Sequence, residues 1–122
     1  MGKKRKDEEL AERLLEFAVR IIKLCGELPK NSVGNHIRGQ LIKCGTSPGA
    51  NYEEARGAES TADFLHKLGV VLKELKESRF WLNVILKASL LRPDKVGPLR
   101  DECEELIAII AKSIFTARKS KR

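Results

Sequence analysis

Near the N-terminus, Leu10, Leu14, Phe17, Ile21, Leu24 and Leu28 recur at alternating spacings of four and three residues. That rhythm lines them along one side of an α-helix as a heptad seam. One residue further on, Ala11, Leu15, Ala18, Ile22 and Cys25 make a second seam. A helix with two adjacent seams carries more apolar surface than one neighbouring helix covers. It belongs in a bundle, in a subunit interface, or in both. Gly26 and Pro29 mark its end.

The same period continues along the chain. Asn31 or Ser32 suits the N-cap of a second helix, whose apolar face is Val33, Ile37, Leu41 and Cys44. Gly45-Thr46-Ser47-Pro48-Gly49-Ala50 interrupts that face with small residues and a proline, which lacks an amide hydrogen. Either the helix kinks there or a new one starts at Ser47; Tyr52 and Ala55 resume the spacing and favour a kinked, continuous helix to about Arg56. Ser60-Thr61-Ala62-Asp63 reads as a capping box opening a third helix. Its core face is Phe64, Leu68, Val71, Leu75, Leu82 and Ile85, and Arg92-Pro93-Asp94 disfavours continuation. Gly97-Pro98 starts a fourth, with Leu99, Cys103, Leu106, Ile110 and Ile114 as its face. Helices over about 8–28, 32–56, 60–91 and 97–117 with short links predict an all-α fold, an up-down antiparallel four-helix bundle over residues 7–117. Basic tails at 1–6 and 118–122 flank it.

At 122 residues, 42% of them hydrophobic, the chain holds enough apolar material for the core of one domain. No apolar run approaches the roughly 20 residues that span a bilayer, and Lys3–Lys6 lead into no uninterrupted hydrophobic stretch. The expectation is a cytoplasmic protein without a membrane partner. The formal charge is +7, yet residues 7–117 hold 16 basic against 17 acidic residues. The excess sits on the tails, in Lys3, Lys4, Arg5 and Lys6 and in Arg118, Lys119, Lys121 and Arg122. Such tails bind phosphate polyanions without sequence preference, or are simply solvated. Cys25, Cys44 and Cys103 form no C-x-x-C pair and fall within apolar helical patterns, where free cysteine acts as a small hydrophobe.

Catalytic signatures are weak. A carboxylate-bridged dimetal bundle needs Glu-x-x-His on two helices, and this chain offers Asp63-x-x-His66 alone, with no acid three residues before His36. Gly34-Asn35-His36-Ile37-Arg38-Gly39 has the glycine spacing of a phosphate loop. But Gln40 and Leu41 stand where Lys and Ser/Thr must be, and no strand precedes it. No nucleophile elbow or oxyanion loop is visible. The expectation is a non-enzymatic binding protein with no catalytic residue, cofactor or metal. Within the body, Arg38, Lys43, Lys67, Lys76 and Arg79 are the candidate phosphate contacts, while Lys73 with Glu77 reads as a solvated i, i+4 pair. Arg79 falls on a seam running Leu68, Leu72, Leu75, Arg79, Leu82, Leu86, so it must pair, reach the rim or meet a partner. The pattern exposes no aromatic platform of the single-strand-binding type.

Three ordered segments are familiar: Gly45-Thr46-Ser47-Pro48-Gly49-Ala50-Asn51-Tyr52-Glu53-Glu54-Ala55-Arg56, then Ala62-Asp63-Phe64-Leu65-His66-Lys67-Leu68-Gly69, then Glu77-Ser78-Arg79-Phe80-Trp81-Leu82. Together with Leu28-Pro29 and Ile37-x-x-Gln40-Leu41, they resemble the bacterial four-helix-bundle family also called 23S rRNA intervening-sequence proteins, over roughly residues 10–117. The chain is similar, more distantly, to the accessory variability proteins of diversity-generating retroelements. On this resemblance Ser47, Asn51, Tyr52, Glu54, Phe64 and Trp81 are structural motif residues. The resemblance implies a ring-like homopentamer and a nucleic-acid partner, structured RNA above all. Its alternative is a protein-interaction accessory that binds a reverse transcriptase.

Overall fold

The computed structural model describes residues 4–120. They form four α-helices: α1 (Lys6–Cys25), α2 (Ser32–Arg56), α3 (Thr61–Lys87) and α4 (Pro93–Ser120). Among the described residues there is no strand, and no helix is long and apolar enough to cross a membrane. Each helix packs against its neighbours in chain order, and α4 closes the bundle on α1 most sparsely. Asp7 meets Arg56 at one end of the α1–α2 pair and Cys25 meets Arg38 at the other, so the two run antiparallel.

The first seam of α1 is core. Leu10, Leu14, Phe17, Ile21 and Leu24 are buried against Leu41 and Cys44 of α2, Leu68, Leu75 and Leu82 of α3, and Leu106 and Ile110 of α4. The second seam splits. Ala11 and Cys25 are buried, but Leu15 is 65% and Ile22 54% exposed, and Ile42 of α2 is exposed as well. The glycines of α2 explain why α1 turns that seam outward. Four residues apart, Gly45 and Gly49 share a helix face. A Cβ at Gly45 would stand 2.8 Å from two side-chain carbons of Ile21, and one at Gly49 would stand 3.4 Å from the Leu14 carbonyl oxygen. At Gly34 an added Cβ would collide with the Pro29 carbonyl.

α2 runs unbroken through Pro48. The Thr46 and Ser47 hydroxyls donate to the carbonyls of Ile42 and Lys43, each at 2.6 Å, where the ladder is weakened by the missing amide. Asn31 caps this helix by accepting from the Gly34 amide at 2.8 Å, and Ser60 caps α3 by accepting from the Asp63 amide at 3.0 Å.

Several helix ends differ from the sequence expectation, three of them for a clear local reason. α1 stops at Cys25 rather than 28, because Glu27 and Leu28 bond three residues back, to Leu24 and Cys25. Leu28 is still buried, so the seam outlasts the helix. α3 stops at Lys87 rather than 91. Ser89 takes a positive φ of 55°, with Leu90 N–H donating to the Ile85 carbonyl and Ser89 N–H to that of Leu86. This is a Schellman cap with serine at its left-handed position. α4 starts at Pro93 rather than 97, because Pro93 fits a first helical turn and Val96 extends the buried seam into Leu99 and Cys103. Lys6 and Arg118–Ser120, assigned to the tails, are helical.

The core of α3 also corrects the sequence reading. Ser78, not Arg79, completes the buried line between Leu75 and Leu82, with its hydroxyl donating to the Glu74 carbonyl at 2.9 Å. Arg79 lies one residue around, half-buried, and its Nη1 meets Glu104 Oε1 of α4 at 2.8 Å.

Two outcomes follow. Ser89→Gly removes a left-handed serine and raises stability by about 1 kcal/mol, measurable as a shifted denaturant midpoint; no gain would mean the cap is unstrained. Burial pushes the thiols of Cys25 and Cys44 up to about 11 and that of Cys103 to about 12, from an ordinary 9.0. The folded chain therefore resists an aromatic disulfide reagent at pH 8 and yields three thiols in denaturant. Because unfolded thiols ionise first, their contribution to stability is complete below about pH 9 and is lost as the pH rises to about 11–12.

Candidate nucleic-acid interface

The basic residues sort by what their charge already meets. Lys4 Nζ reaches Glu12 at 2.6 Å, and Arg5 Nε reaches Asp7 at 3.2 Å and Glu8 at 3.0 Å, so these cations fold back on the acidic first turns of α1. Acids there also complement the positive end of the helix dipole. Exposed pairs of this kind are weak and screened by salt. Lys67 sits between Glu54 at 3.3 Å and Asp63 at 4.0 Å. Lys6 opens α1, and Arg118 and Lys119 occupy the last turn of α4; all three are exposed. Lys3, Lys121 and Arg122 lie outside the described residues.

Arg38 is committed most fully. Its Nε donates to the Cys25 carbonyl at 3.0 Å, and its Nη2 to those of Leu28 and Pro29 at 2.8 and 3.3 Å. Its Nη1 donates to Asn35 Oδ1 at 2.6 Å. Those carbonyls belong to the last residue of α1 and to the link that follows it, so the guanidinium ties the end of α1 and the link to α2.

The motif residues are likewise structural. Asn51 Nδ2 donates to Glu74 Oε1 at 2.8 Å and Glu54 pairs with Lys67, both joining α2 to α3. Tyr52 is buried, Phe64 and Trp81 pack on the core from half-buried positions, and the Ser47 hydroxyl supports the turn before Pro48.

Lys43 and Lys76 are exposed, with no carboxylate within 4 Å among the described residues. Other lysines share this state, among them Lys23, Lys30 and Lys112 and, on α3, Lys73 and Lys87. Along α3, Lys73, Lys76, Phe80, Val84 and Lys87 follow at spacings of three or four, which places them on one outward face. Glu77 also stands on it, beside Lys73. Sequence reasoning set Lys73 aside as a paired charge and passed over Lys87. The signal was the spacing of lysines around Phe80.

The aromatic expectation is corrected here too. Phe80 is 57% and Phe115 63% exposed. Phe80 packs edge-to-face with Trp81, at 5.0 Å between centroids, and Trp81 meets His36 the same way at 5.7 Å. A groove of about 450 Å³ beside them is lined by Phe80, Asn83, Val84, Lys87 and Ala88. Lys119 Nζ lies 5.3 Å from the Phe115 centroid, within cation–π range. His66 is exposed and, among the described residues, no group of three or more His, Cys, Asp or Glu side chains comes together.

Residues 6–112 match the family described as 23S rRNA-intervening sequence protein. No curated protein matches the chain. A solved structure from Bacteroides thetaiotaomicron VPI-5482, a protein with unknown function from the S23 ribosomal protein family, shares 32% sequence identity with it. The two superpose with a TM-score of 0.83, over 90% of this chain and 98% of that one.

Replacing Arg38 with alanine removes the side-chain donor from the Cys25, Leu28 and Pro29 carbonyls and lowers stability by roughly 1.5–3 kcal/mol. Arg38→Lys recovers only part, since one ammonium cannot reproduce the fork. Chemical denaturation of both variants checks this; an unchanged alanine midpoint would remove the tying role.

Proposed function

The chain belongs to the 23S rRNA-intervening sequence protein family, and from that premise we propose that it is a non-enzymatic, homo-oligomeric protein that binds structured RNA. The family description names a location in rRNA genes rather than an activity, so the reading rests on the surface. The observation that carries it is the set of exposed lysines without a carboxylate partner, Lys43, Lys73, Lys76 and Lys87 among them, together with the basic termini. Nucleic-acid affinity comes largely from cations that neutralise phosphates and release counterions. Arg38, Lys67 and Arg79 contribute less, because their charge is already spent within the bundle.

Self-association draws on a different face. Leu15 and Ile22 on α1, with Ile42 on α2, are large apolar side chains left in water by the single chain. A second copy of the chain covers them, and a ring of five, which the family likeness suggests, is one closed solution for a head-to-tail contact. The same exposed face supports a second reading, an accessory subunit that docks on a reverse transcriptase.

One titration tests both parts. Full-length protein is titrated against structured RNA at about 50 and 200 mM salt; with roughly six phosphate contacts the affinity falls about 10³-fold. Equal affinity at both concentrations would overturn the phosphate-contact reading. Mass is read from the same samples, for the wild type and for Ile22→Glu. A multimer that Ile22→Glu breaks to single chains is expected. A single-chain wild type that binds no RNA would hand the case to the protein-accessory reading.

A further inference from the structure

We propose that the outward face of α3 is a site for unpaired nucleotides, in which a base stacks on Phe80 while Lys73, Lys76 and Lys87 hold the neighbouring phosphates. The inference rests on the RNA-binding reading above and names the part of the RNA that this face takes.

Four observations carry it. Phe80 exposes 57% of its surface, more than half of a large aromatic ring left in water. Its ring is not loose. Trp81 packs on it edge-to-face at an interplanar angle of 77°, and His36 packs on Trp81 at 76°, so the aromatic surface is pre-organised. The cations are placed for a strand and not for the fold, because Lys73, Lys76 and Lys87 flank Phe80 along one helix face without a carboxylate within 4 Å among the described residues. Lastly, a polar group lies in the adjoining groove. The side-chain Oδ1 of Asn83 accepts from Arg100 Nη1 at 3.1 Å, which leaves the Nδ2 N–H groups as donors toward a base edge.

The acids around this face are mostly engaged. Glu104 is held by Arg79 at 2.8 Å and Asp101 by Arg100 at 3.2 Å, which leaves Glu77 against three lysines. A like-charged face of this kind repels its own copy across a two-fold axis, which argues against a symmetric self-contact. Paired RNA keeps its bases stacked on each other and presents backbone, whereas loops, bulges and ends offer free base faces to aromatic side chains. An exposed, braced phenylalanine among lysines matches the second kind of ligand.

The test uses the full chain with two labelled probes at one salt concentration, a short unstructured RNA and a blunt RNA duplex. Phe80→Ala is expected to weaken single-strand binding roughly 5- to 100-fold and to leave duplex binding unchanged. Phe80→Trp keeps the single-strand affinity. Lys76→Ala weakens both probes and lowers the salt slope. Phe80 lies outside the core, and far-ultraviolet helicity with thermal melting confirms that each variant is folded.

Single-strand binding that survives Phe80→Ala would overturn the stacking site while leaving RNA binding by the lysines intact. A Phe80→Ala protein of changed oligomeric mass would make this face a subunit seam and overturn the site equally. A wild type that binds neither probe even at low salt would sink the RNA-binding reading itself, and the site with it.

Discussion

The close approach of α1 to α2 sets the geometry of everything else. Gly45 and Gly49 leave no side chain between the helices, so Ile21 and Leu14 rest against α2 backbone. The link between them is folded as tightly, with Gly34 against the Pro29 carbonyl and Arg38 gathering carbonyls from the end of α1 and from the link itself. Interiors are packed at crystal-like density, and such contacts leave little freedom of rotation. α1 therefore turns its first seam into the core and its second away from it, and Leu15 and Ile22 reach the surface as a consequence of glycines on another helix.

Much of the architecture could be read from spacing alone. The four apolar faces, the Asn31 and Ser60 caps and the continuity of α2 through Pro48 all have local causes. What escaped had causes that spacing does not encode. Serine at position 89 adopts the left-handed cap that glycine usually announces, so the end of α3 carried no recognisable stop. Leu28 kept the heptad rhythm after the helix itself had tightened and ended. On α3, Ser78 and Arg79 differ by one position, about 100° of rotation. The seam spacing pointed to Arg79, and the buried serine was legible only once its hydroxyl was seen bonded to Glu74.

The site was less legible than the fold, because the fate of a cation depends on side chains distant in sequence. Arg38 looks like a surface arginine until the Cys25 and Leu28 carbonyls come within its reach. Arg79 looks unpaired until Glu104 arrives from α4. Subtracting the committed charges leaves a set that net charge could not have pointed to, since residues 7–117 nearly balance. Three of the lysines that remain, Lys73, Lys76 and Lys87, stand on α3, the helix whose outward face also holds an exposed aromatic ring.

The sparse contact between α1 and α4 has a kinetic meaning. Every other helix contact joins chain neighbours, so most of the bundle forms through short-range closure, the class of topology that folds fastest. Only the α1–α4 seam must bring together segments from opposite ends of the chain. There a bidentate clasp of Arg13 on Glu102, at 3.0 and 2.6 Å, stands beside a gap of about 250 Å³ next to Leu10 and Ile109. Local opening follows the region of fewest apolar contacts. The α1–α4 seam is thus the closure on which the two ends of the chain meet, and the place where the bundle opens first.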